Sequence, residues 1–298
     1  MKATSLIYQL FTGFYKIIPF KKQVCSLLRK IPFKENFYTD LKFRAPFQVK
    51  INEQSFSLFH WESTIENEIF WHGLGNTWES ETIFVWKKIC PHVNIILDIG
   101  ANTGVYSLMA KAINPSVNIF AFEPSDLVYN KLTFNNKMNN FDIHCINKGV
   151  SNISDSLTFY DVEGTHQTSA SLEPAKLKDL PSFKGKIREY QISTITIDEF
   201  IRDNNLEKVD LIKIDVELHE PQILEGFSTY LTLYYPYIII EVLTTEVAKK
   251  LNKIITKTEY EIFNIEHNKL TKTDKLTPIG CYNYLLAHPS KKVTSLFN

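Results

Sequence analysis

The sequence predicts an α/β protein: a mainly parallel sheet covered by helices on both faces, with an antiparallel edge and an N-terminal helical and β extension. From residue 94 onward, short apolar runs alternate with stretches of helical period, the pattern of strand–helix–strand units. A Gly-x-x-x-Gly turn, Gly100 to Gly104, joins the first of these runs to the first helix. Near the C-terminus two strand-like runs, 260–265 and 282–288, are separated by a loop, as in an antiparallel edge.

Residues 1–78 form the extension, with a helix or two over about 4–29 and a hairpin of strands 47–51 and 55–60 around Asn52-Glu53. The second region, 79–298, opens with a helix over 79–90. Strands follow at 94–100, 117–122, 143–150, 156–160, 188–193, 209–216 and 237–242. Helices are expected at 103–114, 125–139, near 196–203, between the last two strands, and at 245–256. Residues 162–186 read as a polar loop.

Composition sets limits. At 298 residues, 44% hydrophobic and 22% charged, the chain can bury a sizeable core. Thirty-three basic residues balance thirty-three acidic ones, so no overall positive charge favours a nucleic-acid partner. Cys25, Cys90, Cys145 and Cys281 lie far apart and form no C-x-x-C pair, which fits a reducing cytosol better than a zinc ribbon or a disulfide scaffold. His219-Glu220 begins like H-E-x-x-H, but position 223 is Ile, so that zinc motif fails. Residues 1–34 carry no acid and seven basic residues among many apolar ones. No run there reaches the roughly 18 apolar residues of a spanning helix, and no signal-peptide pattern is visible. A cytoplasmic protein with a peripheral contact at the inner membrane face is one expectation; a helix packed on the main domain is the other.

The glycine turn is expected beyond the carboxyl end of its strand, where α/β sheets bind ligands. Gly104 is followed by Val105 and Tyr106, which excludes a P-loop. Asn102 stands where a dinucleotide fingerprint needs its second glycine, so a pyrophosphate is disfavoured. S-adenosylmethionine has no phosphate and escapes that constraint. Asp98 would face its ammonium, and the helix start at Thr103 and Gly104 its carboxylate. Glu123, closing the second strand, would accept the ribose hydroxyls.

A second constellation lies in residues 209–227. Strand alternation gives Lys213, Asp215 and Glu217 one direction and Ile212 and Ile214 the other. Asp215, Glu217, His219 and Glu241 (at the end of the next strand) would share one rim, as a base, as substrate-orienting groups or as ion pairs with lysines. No dedicated metal set is expected, though carboxylates of this kind can hold a divalent ion.

These motifs resemble the FkbM family of S-adenosylmethionine-dependent methyltransferases: LDIGANTGVYSLMA at 97–110, AFEP at 121–124, Lys-Gly-Val-Ser at 148–151, TIDEF at 196–200 and DLIKIDVELHEPQILEG at 210–226. The resemblance covers about 80–243, and more loosely extends to 288. It implies the Rossmann-like class I methyltransferase fold and, most often, O-methylation of a hydroxyl on a sugar, glycan or other small molecule. It places Asp98, Gly100, Asn102, Thr103, Gly104, Glu123 and Ser151 at the cofactor, and Asp215, His219, Glu217 and Glu241 at the reaction. The family usually has Gly where this chain has Leu218, which bears on the acceptor. A non-catalytic nucleoside-binding or scaffold descendant, an NAD-dependent oxidoreductase and an RNA methyltransferase are the competing readings. Neutral charge and the absence of an N-P-P-Y type motif disfavour the last of these.

Overall fold

The computed structural model describes residues 13–15, 17–31, 38–162, 187–266, 269–280, 282–291 and 293–297. The expected polar loop falls almost wholly outside the described residues, as does the start of the expected N-terminal helix. The chain separates into two compact units, Met1–Trp78 and Glu79–Asn298.

In the first unit, α1 (Lys21–Leu28) precedes a hairpin of β1 (Pro46–Ile51) and β2 (Gln54–Phe59). The hairpin turns at Asn52-Glu53, as expected, with Asn52 in the left-handed region that asparagine tolerates. Alternate residues Phe47, Val49 and Ile51 are buried, giving one inward face. A helix that the pattern had not predicted, α2 (Thr64–His72), follows. Its start carries the Ser63-x-x-Glu66 signature of a helix N-terminus, and the buried Ser63 hydroxyl donates to the Glu66 carboxylate. Phe43, Phe47, Phe70 and the buried His60 form an aromatic cluster with ring centroids 4.3–6.4 Å apart.

The second unit opens with α3 (Ser80–Ile89). Then come β3 (Ile95–Ile99), α4 (Val105–Ile113), β4 (Asn118–Phe122), α5 (Asp126–Met138) and β5 (His144–Ile146). The expected strand 143–150 breaks in two. Its second half is β6 (Gly149–Val150), which joins β7 (Ser156–Val162) and β8 (Ile187–Ile195) in a separate three-stranded sheet ordered β6-β8-β7. Next are α6 (Ile197–Asp203), β9 (Leu211–Ile214), α7 (Glu220–Glu225), α8 (Thr229–Tyr234), β10 (Tyr237–Glu241) and α9 (Thr245–Ile255). The unit closes with β11 (Glu261–Glu266), the unexpected β12 (Lys269–Thr273), β13 (Asn283–Ala287) and α10 (Val293–Phe297).

The main sheet is ordered β12-β11-β13-β10-β9-β3-β4-β5. Strands β5, β4, β3, β9 and β10 are parallel. β13 inserts antiparallel between β10 and β11, and β12 adds a further antiparallel strand outside β11. The antiparallel edge is therefore three strands wide, with the last long strand threaded inward. This is the Rossmann-like class I methyltransferase fold. The order reverses around β3, so the crevice for a ligand lies at the carboxyl ends of β3, β4 and β9.

One face of the sheet is apolar throughout. Leu97, Ile99, Ile212, Ile214, Ile238 and Ile240 pack with Phe200, Ile223, Leu224, Leu231 and Leu251 of α6, α7, α8 and α9. The other face receives α4, which sets Ser107 against Asp98, and α3, whose Trp86 donates to the Tyr106 carbonyl at 3.2 Å.

Candidate active site

The glycine turn is shaped by its neighbours. Gly100 adopts φ 78°, and a Cβ there would lie 1.9 Å from the Asp215 carbonyl oxygen. Only glycine lets the end of β9 come so close. Gly100 and Ala101 N–H both donate to the Phe122 carbonyl, at 3.1 and 2.9 Å, so the turn is also tied to β4. Asn102 is left-handed, and its Oδ1 accepts from Thr103 N–H at 2.8 Å. Thr103 is buried, and its carbonyl is held by Asn135 Nδ2 at 2.8 Å. Gly104, at φ 91°, leads into α4.

Glu123 bridges the two strand ends. Its carboxylate accepts from Asn102 N–H at 3.0 Å and from Ser125 N–H at 2.9 Å. Two backbone donors fix the carboxylate plane. Asp98 is fully buried. Ser107 donates to its Oδ2 at 2.6 Å, while Oδ1 has no protein partner. Burial raises the Asp98 pKa, against the pull of Lys213.

Lys213 is the hub of a buried charge cluster. It sits opposite Asp98 in the β3–β9 register and is 4% exposed. Its Nζ pairs with Asp215 Oδ2 at 2.7 Å and stands 4.5 Å from the Tyr106 ring centroid. Burial opposes its charge, but Asp215, Glu79 and Asp98 outweigh that and push its pKa up. One buried cation thus faces several acids. Burial lifts Glu79 to about 7, against Lys213, and the Tyr106 hydroxyl donates to Glu79. Burial, then the charges of Asp215 and Glu220, lift Glu217 to about 7. Burial lifts Glu220 to about 7 as well. Burial, Asp215 and Glu217 raise Glu241 to about 9. At neutral pH this rim shares protons and carries less negative charge than its sequence implies.

The segment between β9 and α7 turns sharply. Glu217 and Leu218 are both left-handed, at φ 53° and 86°. That conformation explains the family glycine at this position: a side chain here costs strain. Leu218 N–H donates to Glu220 Oε1 at 3.0 Å, which holds the turn. His219 then caps α7, with Pro221 in the first turn where a proline fits. At the other end of α7, a Cβ on Gly226 would lie 2.3 Å from the Ser151 carbonyl oxygen. This close approach places Ser151 Oγ 2.9 Å from His219 Nε2. Ser151 Oγ also donates to Asn152 Oδ1 at 3.3 Å.

Beside the turn lies a pocket with an empty volume of about 360 Å³, lined by Gly100, Phe122, Pro124, Lys148, Val216 and His219 among others. The structure therefore gathers the expected residues into two groups. Asp98, Asp215 and Glu241 act electrostatically with Lys213, and Glu217 with Asp215 and Glu220, whereas Ser151 and His219 meet each other. Sequence reasoning missed Lys213 as the hub, and also Glu79, Tyr106, Glu220 and Lys148. The charged Lys213 inside an apolar strand was the available signal; Glu79 and Tyr106 reach the cluster only through tertiary packing. Among the described residues, no group of three or more His, Cys, Asp or Glu side chains could hold a metal ion.

Sheet order, the glycine turn and the acids closing adjacent strands define a methyltransferase. The family model described as "Methyltransferase FkbM domain" matches residues 98–262, more than half of the chain. The chain belongs to the FkbM methyltransferase family. The hexuronic acid methyltransferase AglP of Haloferax volcanii is 24% identical over 183 residues, which cover 60% of this chain and 68% of that one. Methyltransferase 1 of Beauveria bassiana is 27% identical over 149 residues, covering 46% of this chain and 60% of that one. An FkbM methyltransferase structure from Methylobacillus flagellatus is similar at 17% identity and a TM-score of 0.39; the match covers 66% of this chain and 44% of that one.

Proposed function

We propose that the protein transfers a methyl group from S-adenosylmethionine to a hydroxyl of a saccharide or other small molecule. The observation that carries this is the buried Asp98 Oδ1 without a protein partner, set beside Glu123 across the glycine turn. A buried carboxylate oxygen needs a donor, and the cofactor's ammonium is one. Glu123, oriented by two backbone donors, suits a ribose diol. The N–H groups around Thr103 and Gly104 suit the carboxylate of the methionine end. Bound there, S-adenosylmethionine would supply an electrophilic methyl group on a cationic sulfonium. The acid-rich rim around Asp215 favours that cation.

His219 is the base we favour. The Ser151 hydroxyl meets His219 Nε2 at 2.9 Å and so fixes the orientation of the ring. An imidazole held beside the pocket has the basicity near neutrality to take the acceptor's proton. Asp215 is the other candidate, but Lys213 already engages its Oδ2; its role here is to orient. Glu217 and Glu241, partly protonated near neutrality, can each donate or accept a hydrogen bond, which suits a neutral polyol. The relative named for a hexuronic acid supports a saccharide acceptor.

Titration calorimetry with S-adenosylhomocysteine tests the reading. Micromolar binding that Glu123→Ala abolishes, with none to NAD, is the expected result. Binding of NAD instead would replace methyl transfer with hydride transfer. Binding of neither ligand would favour the scaffold reading.

A further inference from the structure

The first unit displays a surface that methyl transfer does not use. Five of the eleven large hydrophobic side chains exposed among the described residues lie between Phe14 and Ile31: Phe14, Ile17, Phe20, Leu27 and Ile31. Ile17 and Phe20 are 76% and 73% exposed. Such clustering in one short segment marks an interaction surface rather than the scatter normal on a soluble face.

The segment is anchored from behind. Tyr15 is buried, and its hydroxyl donates to the Lys42 carbonyl at 2.9 Å and meets Cys25 Sγ at 3.0 Å. Cys25, fully buried in α1, lies 3.8 Å from the Leu41 carbonyl oxygen. With Tyr15 and Cys25 turned inward, Phe14, Ile17, Phe20 and Leu27 stay exposed, while Ile18, Val24 and Leu28 are half-buried. Phe20 holds a left-handed φ of 62° at the start of α1. This conformation is costly for a bulky residue, and it presents the ring to solvent.

Charge identifies the partner. In sequence Lys21, Lys22, Arg29 and Lys30 lie among these apolar residues, and no acid occurs from residue 1 to residue 34; Arg29 stands 5.4 Å from the Phe70 ring centroid and Lys21 5.5 Å from that of Tyr15. Glu62 acts electrostatically on Tyr15, on the anchored side. Pairing two copies through this face would set like charges against each other in a symmetric interface. Interfaces between proteins also deplete lysine from their cores. Apolar side chains flanked by lysine and arginine match the boundary of an anionic bilayer. No described helix is long and apolar enough to cross a membrane, so the contact would be peripheral.

We infer that Phe14, Ile17, Phe20, Leu27 and Ile31 form a docking surface for anionic lipid membranes, inserting between headgroups while Lys21, Lys22 and Lys30 bind lipid phosphates. The inference does not depend on the methyl-transfer reading, because it is read without turnover.

The test is sedimentation of the full chain with phosphatidylcholine vesicles, with and without phosphatidylglycerol. The protein should pellet with the anionic vesicles, and high salt should weaken binding. Lys21→Ala/Lys22→Ala should weaken it by about thirtyfold. Ile17→Ser/Phe20→Ser should weaken it at low salt too, because apolar insertion is lost. Both variants should keep the wild-type circular dichroism spectrum and bind S-adenosylhomocysteine as the parent does. Equal pelleting of parent and variants would overturn the proposal, as would no pelleting with anionic vesicles. So would a dimer seen by light scattering that Ile17→Ser/Phe20→Ser dissolves, which would assign the face to a second copy.

Discussion

The two faces of one sheet solve opposite problems. On β3 and β9, Leu97, Ile99, Ile212 and Ile214 belong to an unbroken apolar core. One residue along, Asp98 and Lys213 turn to the other face and face each other. The apolar face gains stability simply by excluding water. The polar face has to balance charge inside the protein, where an unpaired ion is costly. Stability is thus concentrated on one side and chemistry on the other, within strands only four or five residues long.

The largest effect should come from breaking the hub. Lys213→Met leaves Asp98 and Asp215 without their buried cation and should cost about 4 kcal/mol near pH 8. Ile212→Ala, on the opposite face, should cost about 3 kcal/mol by opening a cavity. Urea denaturation at two pH values separates them. The cost of Lys213→Met should shrink by about half at pH 5, where Glu79 and Glu241 carry protons, while that of Ile212→Ala stays constant. Equal pH behaviour would mean that the polar face is as indifferent to charge as the apolar one.

The unmodified protein should show the same asymmetry. Glu217, Glu220 and Glu241 have pKa values of about 7, 7 and 9 when folded, against roughly 4.3 in an unfolded chain. The folded state therefore binds more protons in that interval. Stability is greatest below the unfolded value and falls as pH rises through the folded ones. Thermal unfolding between pH 5 and pH 9 should show a steady fall in Tm, and Glu241→Gln should flatten its upper part. A Tm that rises over this range would contradict the shared-proton picture.

Legibility in the sequence follows the same division. Strands β3, β4, β9 and β10 were readable because the apolar face imposes continuous hydrophobic runs. Asp98 and Glu123 were readable because an acid at a strand end is conspicuous. Lys213 inside an apolar strand announced an ion pair, but its place at the centre of the cluster depends on Asp98 lying opposite it and on Glu79 and Tyr106, which only tertiary packing brings near. The strand expected at 143–150 reads as one run, but its halves join different sheets, a choice made by distant partners. β12, with its two lysines and three threonines or leucines, lacks an apolar face that would announce a strand. The α2 helix was announced by Ser63-x-x-Glu66, a local signal that went unread beside the stronger hairpin pattern.

Leu218 sharpens the contrast from another direction, since it packs against the apolar core while standing in the turn of the polar rim. Truncating a buried leucine elsewhere costs about 2–5 kcal/mol. Here Leu218→Gly also relieves a left-handed backbone worth about 1–2 kcal/mol. The net loss should be about 2 kcal/mol, below that of a core leucine, with an unchanged m-value in urea. A loss of a full cavity's worth would show that Leu218 is held by packing alone and that its φ carries no strain.

The smallest effect on stability belongs to Ser151. Ser151→Ala removes one hydrogen bond to His219 and should cost about 1 kcal/mol, less than any change at the hub. Its effect on turnover should be larger than that figure implies, because the lost bond orients the His219 ring. Once an acceptor is found, kcat should fall about tenfold in Ser151→Ala with KM little changed, and the rising limb of the pH profile should move. His219→Ala should lose about 10²-fold or more, and Ser151→Ala should add nothing to it, since the two act as one unit. Additive losses would separate Ser151 from the base and return it to the cofactor side of the site.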